Sequence, residues 1–88
     1  MSELARSPEQ LGNVIRRTRR KCGMSQSELG AKAGLRQETI SLIENGNPAA
    51  KLETILAVLA VLNLELQIAP RLGLGSLIFG RLESYGED

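Results

Sequence analysis

The chain has no histidine and no tryptophan, and among its 88 residues there is one cysteine, one tyrosine and one phenylalanine. Without histidine, neither a Ser/His/Asp or Cys/His catalytic arrangement nor a Cys/His zinc cluster can be assembled. The lone thiol, Cys22, has no partner for an internal disulfide and fits a reducing compartment. Phe79 and Tyr85 are the only aromatics, so the core is aliphatic. Aliphatic cores in chains this small are marginal, and association with a second copy is expected to bury more surface. Long hydrophobic runs are missing as well. Ile55 to Leu62 is the longest, far short of the roughly 20 residues a membrane span needs. The opening MSELARSPEQ has no apolar stretch of the signal-peptide kind. The glycine-rich GLGSLIFG is not followed by the Lys-Ser/Thr of a phosphate loop. An enzyme, a membrane partner, a metal and a cofactor are all unexpected, and the expected location is the cytoplasm.

What is present suits one small soluble domain, with 42% apolar and 24% charged residues. The net charge of +1 conceals an asymmetry: residues 1–51 carry nine Lys/Arg against five Asp/Glu, and residues 52–88 two against five. A basic front and an acidic back suit two different partners. Ser7, Pro8 and Gln10 signal the start of a first helix. Leu11, Val14, Ile15, Thr18 and Cys22 then recur at helical spacing as its inward stripe, which makes the thiol a buried, inert one. Arg16, Arg17, Arg20 and Lys21 occupy the other face. The later stretch from Leu52 to about Leu62 is almost wholly apolar and reads as a further helix, with its main stripe on Leu52, Ile55, Leu56, Leu59 and Leu62. A helix apolar nearly all round is buried on several sides, and the second side is expected to be another subunit.

Between them lies MSQSELGAKAGLRQETISLIENG. Ser25 and Glu28 form a capping box for one short helix. Gly34 ends it, and only Leu35 and Arg36 separate it from a second, which stops at Gly46. So short a connection forces a sharp angle: a helix-turn-helix. The second helix of such a motif fits the major groove of DNA. Its outward Arg36, Gln37, Glu38 and Ser41 carry the groups that base edges match: Arg for guanine, Gln for adenine, Glu for cytosine, Ser for either. A merely solvated helix face would also be polar; the capped helix, glycine turn and E-N-G stop together within one stretch favour a base-reading surface. In this arrangement the first helix crosses the DNA backbone, so Arg17, Arg20 and Lys21 are candidates for phosphate contact.

Through Gln26, Leu29, Ala33, Gly34, Ile40, Ser41, Ile43, Glu44, Asn45 and Gly46, this stretch resembles the phage-repressor-like (XRE/Cro/C1-type) helix-turn-helix family. The resemblance covers roughly residues 8–63 and implies a lambda-repressor-like, all-α bundle of about five helices. It implies phosphate contacts at Ser25 and Gln26, which open the second helix, and at Asn45. It also implies a largely buried salt bridge between Arg19 and Glu44. Arg36 departs from the family's usual Ser or Thr and cannot cap its helix by the usual route.

After the last helix, LELQIA alternates apolar and polar residues as a strand does. It can pair with the same strand of a second chain, the favoured arrangement, or fold back on Ser76–Phe79. Leu59, Leu62, Leu64, Leu66 and Ile68 are the expected dimer contacts. This strand makes the chain similar to the HipB-type antitoxins, which implies self-repression of an operon and a HipA-like serine/threonine kinase toxin as partner. The organisation expected is an arm over 1–6, a DNA-binding domain over 7–63, a dimerisation strand over 64–70 and a tail over 71–88, disordered or partner-docking. The function expected is sequence-specific repression by a homodimer on a two-fold symmetric operator. A protein-interaction module of the same fold without DNA binding is the alternative.

Overall fold

Hydrogen bonds made within a few residues set the starts of the first two helices and the C-terminal ends of all four. The computed structural model describes residues 3–71 and contains α1 (Pro8–Lys21), α2 (Gln26–Ala33), α3 (Gln37–Glu44) and α4 (Leu52–Val61). Ser7 caps α1 by accepting from the Gln10 N–H, and the Gln10 side chain in turn accepts from the Arg6 N–H. Both bonds of the capping box open α2: Ser25 Oγ accepts from the Glu28 N–H, and the Glu28 carboxylate accepts from the Ser25 N–H. Those bonds from Ser25 hold the exposed Glu28 carboxyl below its ordinary pKa.

Each helix also ends in the same way. At α4, for example, the Leu64 N–H returns to Leu59 O at 2.8 Å while Asn63 takes a left-handed backbone, φ 59°. This is a Schellman stop in which asparagine serves where glycine is usual.

The core consists of Ile15, Leu29, Ile40, Ile43, Val58, Leu59 and Leu62, with Leu11, Met24, Ala33, Leu35, Ile55 and Leu64 packed around it. α3 packs on both α1 and α2, and α2 on α4. The α1–α3 crossing is close enough to exclude any side chain at Gly12. A Cβ there would lie 2.5 Å from Ile43 O and 2.6 Å from Glu44 O.

Several expectations need correction. Cys22 is exposed, because α1 ends at Lys21 and the chain turns away at Gly23. On α4 the inward stripe runs through half-buried Ile55 and buried Val58 and Leu59 to Leu62 at its C-cap, while Leu52 and Leu56 face solvent. With nearly every position apolar, α4 has no polar face to fix its rotation, and packing chooses. Leu59 and Leu62, expected at a dimer interface, are each only 4% exposed inside the chain's own core. Four helices, not about five, and no strand occur among the described residues. Residues 64–70 continue without ladder bonds, since a strand exists only against a second set of backbone groups. Leu64 is half-buried, whereas Leu66 and Ile68 are 51% and 95% exposed. Folding back on Ser76–Phe79, and the tail from residue 72 on, lie outside the described residues. No helix among them is long and apolar enough to cross a membrane.

Candidate nucleic-acid interface

The turn between α2 and α3 is built by Gly34, at φ 73°, and by the Leu35 N–H bonding back to Gly30 O at 2.8 Å. Leu35 is half-buried and anchors the turn against the core. Arg36 takes the N-cap position of α3 in an extended conformation and makes no side-chain cap bond, as its side chain dictates. α3 then buries Ile40, Ile43 and Glu44. Arg36, Gln37, Glu38, Leu42 and Asn45 are turned to solvent, with Ser41 half-buried beside them. The four residues expected to read bases therefore lie together at the start and on the outer side of one helix.

Beneath that surface, Glu44 is the hub of a buried polar network. Arg19 Nε donates to its Oε2 at 2.6 Å and Arg19 Nη2 to its Oε1 at 3.0 Å, a two-pronged pair. The third Arg19 nitrogen donates to Met24 O at 2.8 Å, in the connection between α1 and α2. Gln26 Nε2 donates to Glu44 Oε1 at 3.1 Å. Gln37 Nε2 donates to Gln26 Oε1 at 3.2 Å. The first residues of α2 and α3 are thus tied to each other and to the end of α3. Burial pushes the Glu44 carboxyl up, but the bonds from Arg19, Gln26 and Arg16 outweigh it and leave it below its ordinary pKa. The Glu44 bond raises the Arg19 guanidinium in return. No buried side-chain polar atom among the described residues lacks a partner.

Arg16 belongs to this network too, not to the solvated basic face. Its Nη2 donates to Glu44 O at 3.2 Å and to Asn45 Oδ1 at 3.1 Å. The spacing carries a signal for this: Arg16 precedes Arg19 by three and so shares its side of the helix. Arg17, Arg20 and Lys21 are exposed as expected. Arg17 pairs with Glu3 and so ties the N-terminal arm to α1. Both side chains are open to solvent, so the pair adds little stability and yields readily to another anion. Ser25 is exposed, whereas the Gln26 side chain is half-buried with its amide engaged at both ends.

Residues 15–68 match the family model described as Helix-turn-helix. The chain belongs to the helix-turn-helix family.

Two antitoxin HipB proteins, from two strains of Escherichia coli, are each 39% identical to it over 62 residues. The matches cover 70% of this chain and 66% and 70% of theirs. The HTH-type transcriptional regulator y4dL of Sinorhizobium fredii is 37% identical over 68 residues, covering 77% of this chain and 35% of that one. Among solved structures, the HipA–HipB–O2–O3 complex and the HipB–O4 20mer complex each contain a chain 34% identical to this one with a TM-score of 0.71. Each alignment covers 80% of this chain and 97% of the other. The matched residues 15–68 include Arg19, Glu44 and the turn between α2 and α3. The Gln26–Gln37 bridge and the Gly12 crossing are not legible in the sequence, and the recruitment of Arg16 is legible only as a side of α1 shared with Arg19. All three join residues 11 to 32 positions apart, beyond the range of a local pattern.

Proposed function

We propose that this chain is a sequence-specific DNA-binding repressor and the antitoxin of a toxin–antitoxin module. It acts in the cytoplasm as a homodimer on its own two-fold operator, and its other partner is a HipA-like serine/threonine kinase toxin. The carrying observation is α3: a short helix, clamped from below by the Glu44 network, that turns Arg36, Gln37, Glu38 and Ser41 outward. The similarity to HipB, solved both with HipA and with a 20mer, supports the antitoxin role. The family is one of regulators rather than enzymes.

In this reading Arg36, Gln37, Glu38 and Ser41 meet base edges, and Ser25, Gln26, Asn45, Arg17, Arg20 and Lys21 meet phosphates. Half-sites then stand about 34–36 Å apart, one turn of DNA. In duplexes recovered from a random pool, wild-type affinity is expected to fall steeply with salt. A Gln37→Ala/Ser41→Ala variant of unchanged melting temperature should lose about tenfold or more of its preference for the recovered sequence, since base-edge pairs carry roughly 1–3 kcal/mol each. A flat salt response together with full retention in the variant would reject DNA readout. A gene for a kinase of the HipA kind beside this one supports the toxin partner, and its absence removes that support.

Residues 7–63 serve as the DNA-binding domain, and residues 64–70 pair with their copy in the second chain, with Leu64, Leu66 and Ile68 facing the seam. Leu66 and Ile68 are apolar, exposed and two residues apart, which supports this, since strand side chains on one face recur every second residue. A Leu66→Asp/Ile68→Asp variant, measured by size-exclusion chromatography with light scattering, is expected to run at the mass of one chain. An unaltered dimer would remove residues 64–70 as the main contact.

A further inference from the structure

Leu42 does not fit the chemistry assigned to the rest of the α3 surface. It is apolar and 52% exposed, on the helix whose other large apolar residues, Ile40 and Ile43, are 0% and 4% exposed. The remaining exposed large hydrophobics among the described residues belong to the arm, to α4 and to the segment after it: Leu4, Leu52, Leu56, Leu66 and Ile68. Leu42 is therefore a single apolar group on an otherwise polar reading helix. It sits in the last turn, held there by the Asn47 N–H donating to its carbonyl at 3.0 Å. It lies four residues after Glu38 and three before Asn45, on the outward side that those two exposed residues share.

The major groove offers one apolar feature, the C5-methyl group of thymine. We propose that Leu42 reads that methyl group. The inference rests on the DNA-binding function proposed above and adds a base preference to it. Residues four apart on a helix are displaced by about 6 Å along its axis, and stacked base pairs by about 3.4 Å. The thymine read by Leu42 therefore lies within about two base pairs of the base that meets Glu38. The contact buries two apolar surfaces and makes no ionic bond, so it contributes to sequence preference and not to salt dependence.

The test uses the full chain and a duplex recovered from a random pool, with each thymine replaced in turn by deoxyuridine. That replacement removes the methyl group and leaves the hydrogen-bonding edge intact. Wild type is expected to lose about fourfold in affinity at one position in each half-site, the effect of one buried methyl group. Leu42→Ala should bind the thymine and uracil duplexes equally, with an unchanged salt slope and melting temperature. Leu42→Met, which keeps an apolar side chain, should retain the preference. Sequence-specific binding by wild type with no methyl-sensitive position, or methyl sensitivity that persists in Leu42→Ala, overturns the assignment of Leu42 alone. Failure of wild type to prefer any duplex overturns the DNA-binding function with it.

Discussion

Glu44→Ala is expected to cost about 3–5 kcal/mol of folding stability, because it leaves the Arg19 guanidinium buried without its counter-charge. Arg19 is 7% exposed and Glu44 2%, so water cannot take over the lost bonds. The same change frees Gln26 and one contact of Arg16. Small domains hold roughly 5–15 kcal/mol in all, so the variant sits near the limit of stable folding. Urea denaturation followed by circular dichroism measures it, and a loss under about 1 kcal/mol would contradict the account of the network. Glu44→Gln adds a pH arm. A carboxyl whose pKa is depressed on folding contributes stability that is fully present above its unfolded value and is lost as pH falls through the folded one. Wild type should therefore lose stability on acidification below the ordinary glutamate range. The Glu44→Gln variant should show a shallower loss, the remainder coming from other carboxyls such as Glu28.

The second large effect is expected at Gly12. On an exposed helix, glycine to alanine stabilises by up to about 1 kcal/mol. Here the added carbon would meet two backbone oxygens of α3 at 2.5 and 2.6 Å. Backbone atoms at a helix crossing cannot rotate aside as a side-chain tip can, so α1 and α3 must separate. Overpacking of this kind costs about 1–3 kcal/mol, which outweighs the propensity gain. Gly12→Ala should thus lower the melting temperature by several degrees, at about 4–8 °C per kcal/mol in a domain this size. It should also weaken DNA binding, since Glu44 and the reading helix move with the contact. A rise in melting temperature would show that the crossing yields.

Much of this molecule is decided within windows of four or five residues. Ser7 and Gln10, Ser25 and Glu28, and the glycines at 23, 34 and 46 set where helices begin and end. The bonds involved are local, so the sequence alone places α1, α2 and α3 and turns Arg36, Gln37, Glu38 and Ser41 outward. Residues whose neighbours are distant in the chain lie beyond such a pattern. In sequence, Arg16 is one more member of a solvated basic run; in the fold, α3 brings the Glu44 carbonyl and Asn45 against it. The resemblance implies a phosphate contact at Gln26; the fold adds that its amide joins Glu44 to Gln37.

The sequence by itself therefore determined the helix boundaries, the aliphatic core and the polar face of α3, through caps, turns and periodicity. Only the tertiary structure decided which side of α4 is buried, which arginines are structural and why Gly12 must be glycine. A helix as nearly all apolar as α4 has no preferred orientation until its neighbours supply one. A charged side chain counts as solvated or structural only once a distant carboxylate has come within hydrogen-bonding distance or stayed away.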